Sequence, residues 1–161
     1  MINVDHPRLV LHASVIVLLA LSCGLPSVVE VSEGTTRMWQ AAHSALLLMG
    51  VWMFAEAGVL GVIRLKDTER TVLVWSLITT SYSLAFAAVV QAVTGARSLG
   101  PTTSVVGMSV FVANLIVVLG SVLSVSITLL GAKKAIADLH AVPNHGTAES
   151  SFRSASPSNI G

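Results

Sequence analysis

The sequence predicts an all-α integral membrane protein, a four-transmembrane-helix bundle with its N and C termini in the cytoplasm. Three observations predict it. Of the 161 residues, 53% are apolar and 11% charged, whereas a soluble domain carries roughly a quarter charged residues. Four stretches, 9–31, 38–63, 71–95 and 103–132, each reach the about 20 mostly apolar residues that a helix needs to cross a bilayer. Of the 9 lysines and arginines, Arg8, Arg64, Lys66, Arg70, Lys133, Lys134 and Arg153 fall on one side of such an arrangement. Only Arg37 and Arg97 fall on the other, and an excess of basic residues marks the cytoplasmic face. The net charge of +1 gives no case for nucleic acid as a partner. The single cysteine, Cys23, excludes an internal disulfide and a cysteine-based zinc cluster.

The first span contains Pro26 beside Gly24. Proline removes a backbone donor and clashes with the preceding turn, so a kink is expected there. The run "LALSCG" has the outline of a lipoprotein cleavage site. Ala20 stands where leucine is usual, however, and His12 interrupts the apolar run, so the span is expected to be retained. The second span opens with "MWQAAHSALLLMGVW" and carries Trp39, His43 and Glu56. The third carries Trp75, Thr79, Thr80, Tyr82 and Gln91, and the fourth Asn114. Helices in lipid pack through small residues and shared hydrogen bonds. Gly120, Ser124 and Thr128 at spacing four, with Ala57 and Gly61 on the second span, suit close helix contact, within the chain or between copies. These spans form one domain, 1–132. The remainder, 133–161, is rich in Ser, Asn, Gly and Pro and is expected to be a disordered polar tail.

Ionisable groups inside a span are costly and are functional candidates by default. Each also has a structural reading. Glu30 reaches the outer headgroups, Glu56 pairs with a neighbouring helix, and His12 lies near the cytoplasmic end of its span. Gln91 and Asn114 suit helix–helix hydrogen bonding, Tyr82 a buried tyrosine, and Trp39 an aromatic belt. His43 lies in the outer part of the second span. On a helix its face continues through Leu46, Leu47, Gly50, Phe54 and Ala57, an apolar strip with a glycine. Such a strip suits a planar cofactor such as haem with His43 as axial ligand, and it equally suits a neighbouring helix. No CxxCH occurs, so covalently attached haem is excluded. His12 and His43 lie at opposite depths, which argues against a bis-histidine haem within one subunit.

These residues bring a family into view. "RLVLH" at Arg8 to His12, "WQAAHS" with Trp39, His43 and Ser44, the glycine at Gly50, Trp75 with Tyr82, and "ARSLGP" from Ala96 to Pro101 together resemble styrene oxide isomerase. The resemblance implies a four-span membrane enzyme that binds ferric haem b non-covalently between the subunits of a homo-oligomer, a trimer in that family. His43 would be the axial, metal-binding ligand and Gly50 the gap that admits the porphyrin. It further implies that the iron acts as a Lewis acid on an epoxide oxygen, followed by a 1,2-hydride shift to an aldehyde. A dry pocket would suppress hydrolysis. Tyr82 would be the catalytic group hydrogen-bonded to an apolar small-molecule substrate. Met49 stands where the family has asparagine, no acidic residue precedes Trp75, and the spacing from Trp75 to Tyr82 is one residue longer. The pocket expected from Met49, Thr79, Gln91 and Asn114 therefore suits a more apolar epoxide. The same departures leave a second reading, a non-enzymatic membrane assembly or partner-binding subunit. Transport is a weaker third, because Glu30, Glu56 and Asn114 lie at scattered depths.

Overall fold

The computed structural model describes residues 5–29, 33–95 and 100–141. Glu30, the loop residues 96–99 and the tail from 142 onward, with the expectations placed on them, lie outside the described residues. Within them the fold is all-helical. Helix α1 spans Asp5–Gly24 and is followed by a 3-10 turn at Leu25–Ser27. Helix α2 spans Glu33–Val59, α3 Asp67–Thr94 and α4 Val105–Ala141. All four are long and apolar enough to cross a membrane.

The first span is shorter as an α-helix than its hydropathy suggests. Pro26 sits in the 3-10 turn, where its missing N–H and fixed φ are tolerated, and α1 ends at Gly24. The fourth helix is longer than expected and continues past 132 to Ala141. Two ion pairs account for the extension. Lys134 Nζ donates to both oxygens of Glu69 at 2.8 Å, and Arg64 meets Asp138 at 3.5 Å. At 37 residues and about 1.5 Å per residue, α4 is about 55 Å long, well beyond the ~30 Å hydrocarbon core of a bilayer.

Helix α1 packs on α2 and α3, α2 on α3, and α4 on α3. Leu9, Ala13, Ile16, Ala20 and Cys23 make the buried stripe of α1. They meet Leu46, Met49, Met53 and Ala57 of α2 and Leu73, Leu77 and Ile78 of α3. The spacing of three and four residues keeps each set on one helix face. Outside this core, Leu11, Leu18, Leu48, Val72, Val118 and Leu119 are exposed. An apolar perimeter on every helix suits hydrocarbon as its solvent.

Glycines set the closest approaches. A Cβ at Gly50 would lie 2.5 Å from Val17 Cγ2 and 3.4 Å from the Ala13 carbonyl oxygen, so α1 and α2 touch backbone to backbone there. A Cβ at Gly120 would collide with Thr80, and one at Gly131 would lie 2.8 Å from Leu65 Cδ2 in the connector before α3. The stripe on α4 therefore serves contact within the chain. Ser124 hydrogen-bonds Ser76 of α3 at 2.7 Å, and Thr128 donates to Glu56 of α2 at 3.0 Å.

The termini and the α2–α3 connector share one end of the bundle. Asp5 pairs with Arg70 at 3.3 Å, and the Arg64 N–H reaches the Gly131 carbonyl at 3.3 Å. Gly95, at φ 71°, ends α3 at the other end in a left-handed turn that glycine adopts without strain.

Filling the α3–α4 contact is expected to destabilise the bundle. Gly120→Val should cost about 1–3 kcal/mol by overpacking against Thr80 and lower the thermal midpoint in detergent. Gly58→Ala, where nothing lies within 4 Å, should leave the midpoint unchanged or raise it.

Candidate functional site

His43 is half-buried between α1 and α2. Its Nδ1 lies 2.7 Å from the carbonyl oxygen of Ala20. A carbonyl only accepts, so Nδ1 carries a proton and Nε2 is the nitrogen left for another partner. Among the described residues Nε2 has no hydrogen-bond partner. A ring nitrogen fixed by a backbone carbonyl, with the other left basic, is the arrangement that orients metal-ligating histidines. Gly24 makes it possible, because a Cβ there would stand 3.1 Å from Nδ1. The sequence drew attention to Gly24 only as a neighbour of Pro26. Its place one turn beyond Ala20 on the same helix is the signal that ties it to the imidazole.

A second polar group lies nearer the termini, between α1 and α3. His12 Nδ1 and Tyr82 Oη are 3.0 Å apart, with the rings edge to face. One turn before His12, the Arg8 guanidinium lies 5.7 Å from the Trp75 ring centroid, a cation–π contact. Tyr82 is 38% exposed, so its hydroxyl edge is accessible from the bundle surface. The α1 anchor points of the two groups, residues 12 and 20, are separated by about 12 Å along the helix. Within one chain, His43 and Tyr82 therefore stand at separate stations.

A third feature is a cleft of about 440 Å³ between α2, α3 and α4. Arg37, Gln91 and Asn114 line it, together with alanines 41, 42, 45, 87 and 88. At about 100° per residue, positions 38, 42 and 45 of α2 face away from His43, so the cleft and the histidine occupy opposite sides of that helix.

With this geometry in place, comparison with known families is decisive. The sequence model of styrene oxide isomerase matches residues 6–133. The chain belongs to the styrene oxide isomerase family. The match runs from His6 at the start of α1 to Lys133 on α4, and so takes in every span. No individual curated protein and no solved structure matches the chain.

Against the styrene oxide isomerase pattern, the expected site residues separate. Gly50 does not open a gap for a porphyrin in this chain. Val17 and the Ala13 carbonyl fill the space beside it, and the strip through Leu46, Gly50 and Ala57 is buried against neighbouring helices. Met49 is a core residue, 5% exposed, and lies apart from the three-helix cleft. Thr79 is exposed and borders a different groove, of about 490 Å³, with Trp75 and Thr80 between α3 and α4. Gln91 and Asn114 line the three-helix cleft together. Trp39 is half-buried and packs against the core. The "ARSLGP" segment lies largely outside the described residues.

Glu56 has partners that the sequence did not name. It is 6% exposed, and its carboxyl oxygens accept from Trp52 Nε1 at 3.1 Å and Thr128 Oγ1 at 3.0 Å. This supports its structural reading, a bridge from α2 to α4. No group of three or more His, Cys, Asp or Glu side chains is placed to hold a metal ion among the described residues.

The His43 tautomer is directly observable. Nitrogen-15 NMR of histidine-labelled protein in micelles should show a proton held on His43 Nδ1, assigned by its loss in His43→Gln. Gly24→Val should abolish that signature by pushing the ring off Ala20, while Gly58→Ala should preserve it.

Proposed function

We propose that this protein isomerises an apolar, styrene oxide-like epoxide to an aldehyde within the membrane, with haem b held non-covalently by His43. The observation that carries this reading is the His43–Ala20 hydrogen bond. It orients the imidazole and leaves Nε2 without a protein partner inside an apolar bundle, in a chain whose family is styrene oxide isomerase. The donor set fits the group, since a single oriented imidazole is a sufficient protein ligand for haem iron. Bound there in the ferric state, haem supplies a Lewis acid for an epoxide oxygen.

The chain's own residues do the rest. The Ala20 carbonyl holds the His43 ring against rotation and keeps its proton on Nδ1. At the second station, a His12 protonated at Nδ1 donates to the Tyr82 oxygen and leaves the phenolic proton free. That O–H can donate a hydrogen bond to the epoxide oxygen as charge develops on it and keeps its proton when the carbonyl forms, a contribution that exists mainly in the transition state. The ring-opened carbon then receives hydride from its neighbour, so substrate and product have the same composition and no external oxidant or reductant takes part. Apolar walls exclude the water that would divert the reaction to a diol.

The separation of His43 from Tyr82 along α1 favours a shared site in which a second copy completes the pocket, as expected of a homo-oligomer. The bias of basic residues toward the end bearing the start of α1 and the end of α4 supports a cytoplasmic location for that end. A partner-binding module without catalysis is the second reading, supported by Met49 lying in the core rather than offering a polar group to substrate.

Purified protein supplied with haem should develop a Soret band and convert styrene oxide to phenylacetaldehyde. His43→Ala should lose both. Tyr82→Phe should keep the Soret band and lower turnover about tenfold or more, the equivalent of one good hydrogen bond. Absence of a His43-dependent Soret band refutes the haem assignment. A Soret band with no aldehyde from any aryl epoxide favours the second reading.

A further inference from the structure

The cleft between α2, α3 and α4 plays no part in the reaction proposed for His43 and Tyr82, and its polar groups are unused. Among the described residues, the side chains of Arg37, Gln91 and Asn114 have no hydrogen-bond or ion-pair partner, although all three line this one cleft. Gln91 and Asn114 stand within apolar spans, where hydrocarbon offers no partner, and Arg37 is exposed near the start of α2. Three such groups facing one cavity point to a ligand that satisfies them. All three can donate hydrogen bonds, so the ligand presents acceptors. The guanidinium geometry selects a phosphate or carboxylate over a neutral oxygen.

The rest of the cleft specifies the body of the ligand. Its floor is alanine, with Ala41 and Ala45 on α2 facing Ala87 and Ala88 on α3. From Arg37 to Ala45 the trough runs about 12 Å. Alanines make up half of the lining, with Met38 and Leu84 beside them, so the wall between the polar groups is apolar and mostly small. The cleft opens sideways to the bilayer, because α2 and α4 do not pack against each other along their backbones. Its volume, about 440 Å³, suits a small molecule or one lipid chain. A neutral epoxide would leave Arg37 unpaired.

We infer that this cleft is a binding site for an anionic phospholipid. Its phosphate pairs with Arg37, its ester carbonyls accept from Gln91 and Asn114, and one acyl chain lies along the alanine floor. The site belongs to the end of the bundle away from the termini. It is independent of haem and of catalysis, so protein without cofactor serves for the test.

Native mass spectrometry of the full-length protein in detergent, titrated with palmitoyl-oleoyl phosphatidylglycerol, should show one lipid retained per chain. Phosphatidylcholine with the same chains should be retained about tenfold less. Arg37→Gln, a change at an exposed position, should bring that preference below about twofold. Ala45→Leu should abolish retention by closing the trough with the charge intact, and Asn114→Leu should weaken it. Equal retention of the two lipids overturns the inference, as does retention insensitive to both Arg37→Gln and Ala45→Leu. So does retention of free palmitate in place of the phospholipid. A change of oligomeric mass in Ala45→Leu without loss of lipid assigns the cleft to a second copy and also overturns it.

Discussion

In hydrocarbon, a polar side chain that leaves its partner gains nothing from solvent, and that constraint organises this bundle. Water does not drive the helices together, so their mutual position depends on contacts that are short or polar. Gly50 against Val17 and Gly120 against Thr80 are of the first kind. Ser76 with Ser124, and Glu56 with Trp52 and Thr128, are of the second. Thr80 shows the tension between them. It is pressed against Gly120, and its buried hydroxyl has no hydrogen-bond partner, a cost accepted where α3 and α4 approach most closely. At the end bearing the termini the constraint relaxes and charges take over. Asp5–Arg70 and Glu69–Lys134 fasten α1 to α3 and α3 to α4 there.

The same constraint explains why α1 carries so much of the chemistry. It is the helix against which both candidate groups are fixed. Its backbone carbonyl at Ala20 holds His43, and its side chain at His12 holds Tyr82. Small residues at positions 13, 20 and 24 let α2 come close enough for the first of these. Packing and ligand orientation are thus one property of α1, and neither is adjustable without the other.

Much of the fold was legible in the sequence, because span length and hydropathy depend only on composition along the chain. The four helices, the effect of Pro26 and the small-residue stripe on α4 follow from local rules. The family was legible too, from the dispersed set that includes Trp39, His43, Trp75 and Tyr82. What escaped was rotation about the helix axes. The strip through Leu46, Gly50 and Ala57 looked as suitable for a cofactor as for a helix, and only the position of α1 decides between them. Gln91 and Asn114 converge because α3 and α4 happen to turn those faces toward α2. Met49 turns into the core, and Thr79 stands about 18 Å from Gln91 along α3. The end of α4 was misjudged for a different reason. Ion pairs to Glu69 and Arg64 hold residues 133–141 helical, and composition alone does not reveal such long-range partners.

Gly24 and His43 draw on one shared volume, and this has a consequence for how the family can vary. A side chain added at position 24 is compatible only with a smaller group at position 43 or a wider gap between α1 and α2. The wider gap would in turn free the space that excludes a Cβ at Gly50. Positions 24, 43 and 50 are therefore expected to change as a set among related sequences. A lineage that abandons the imidazole loses the reason to keep glycine at 24, and drift at that site becomes a marker that the contact between the ring and the Ala20 carbonyl has gone.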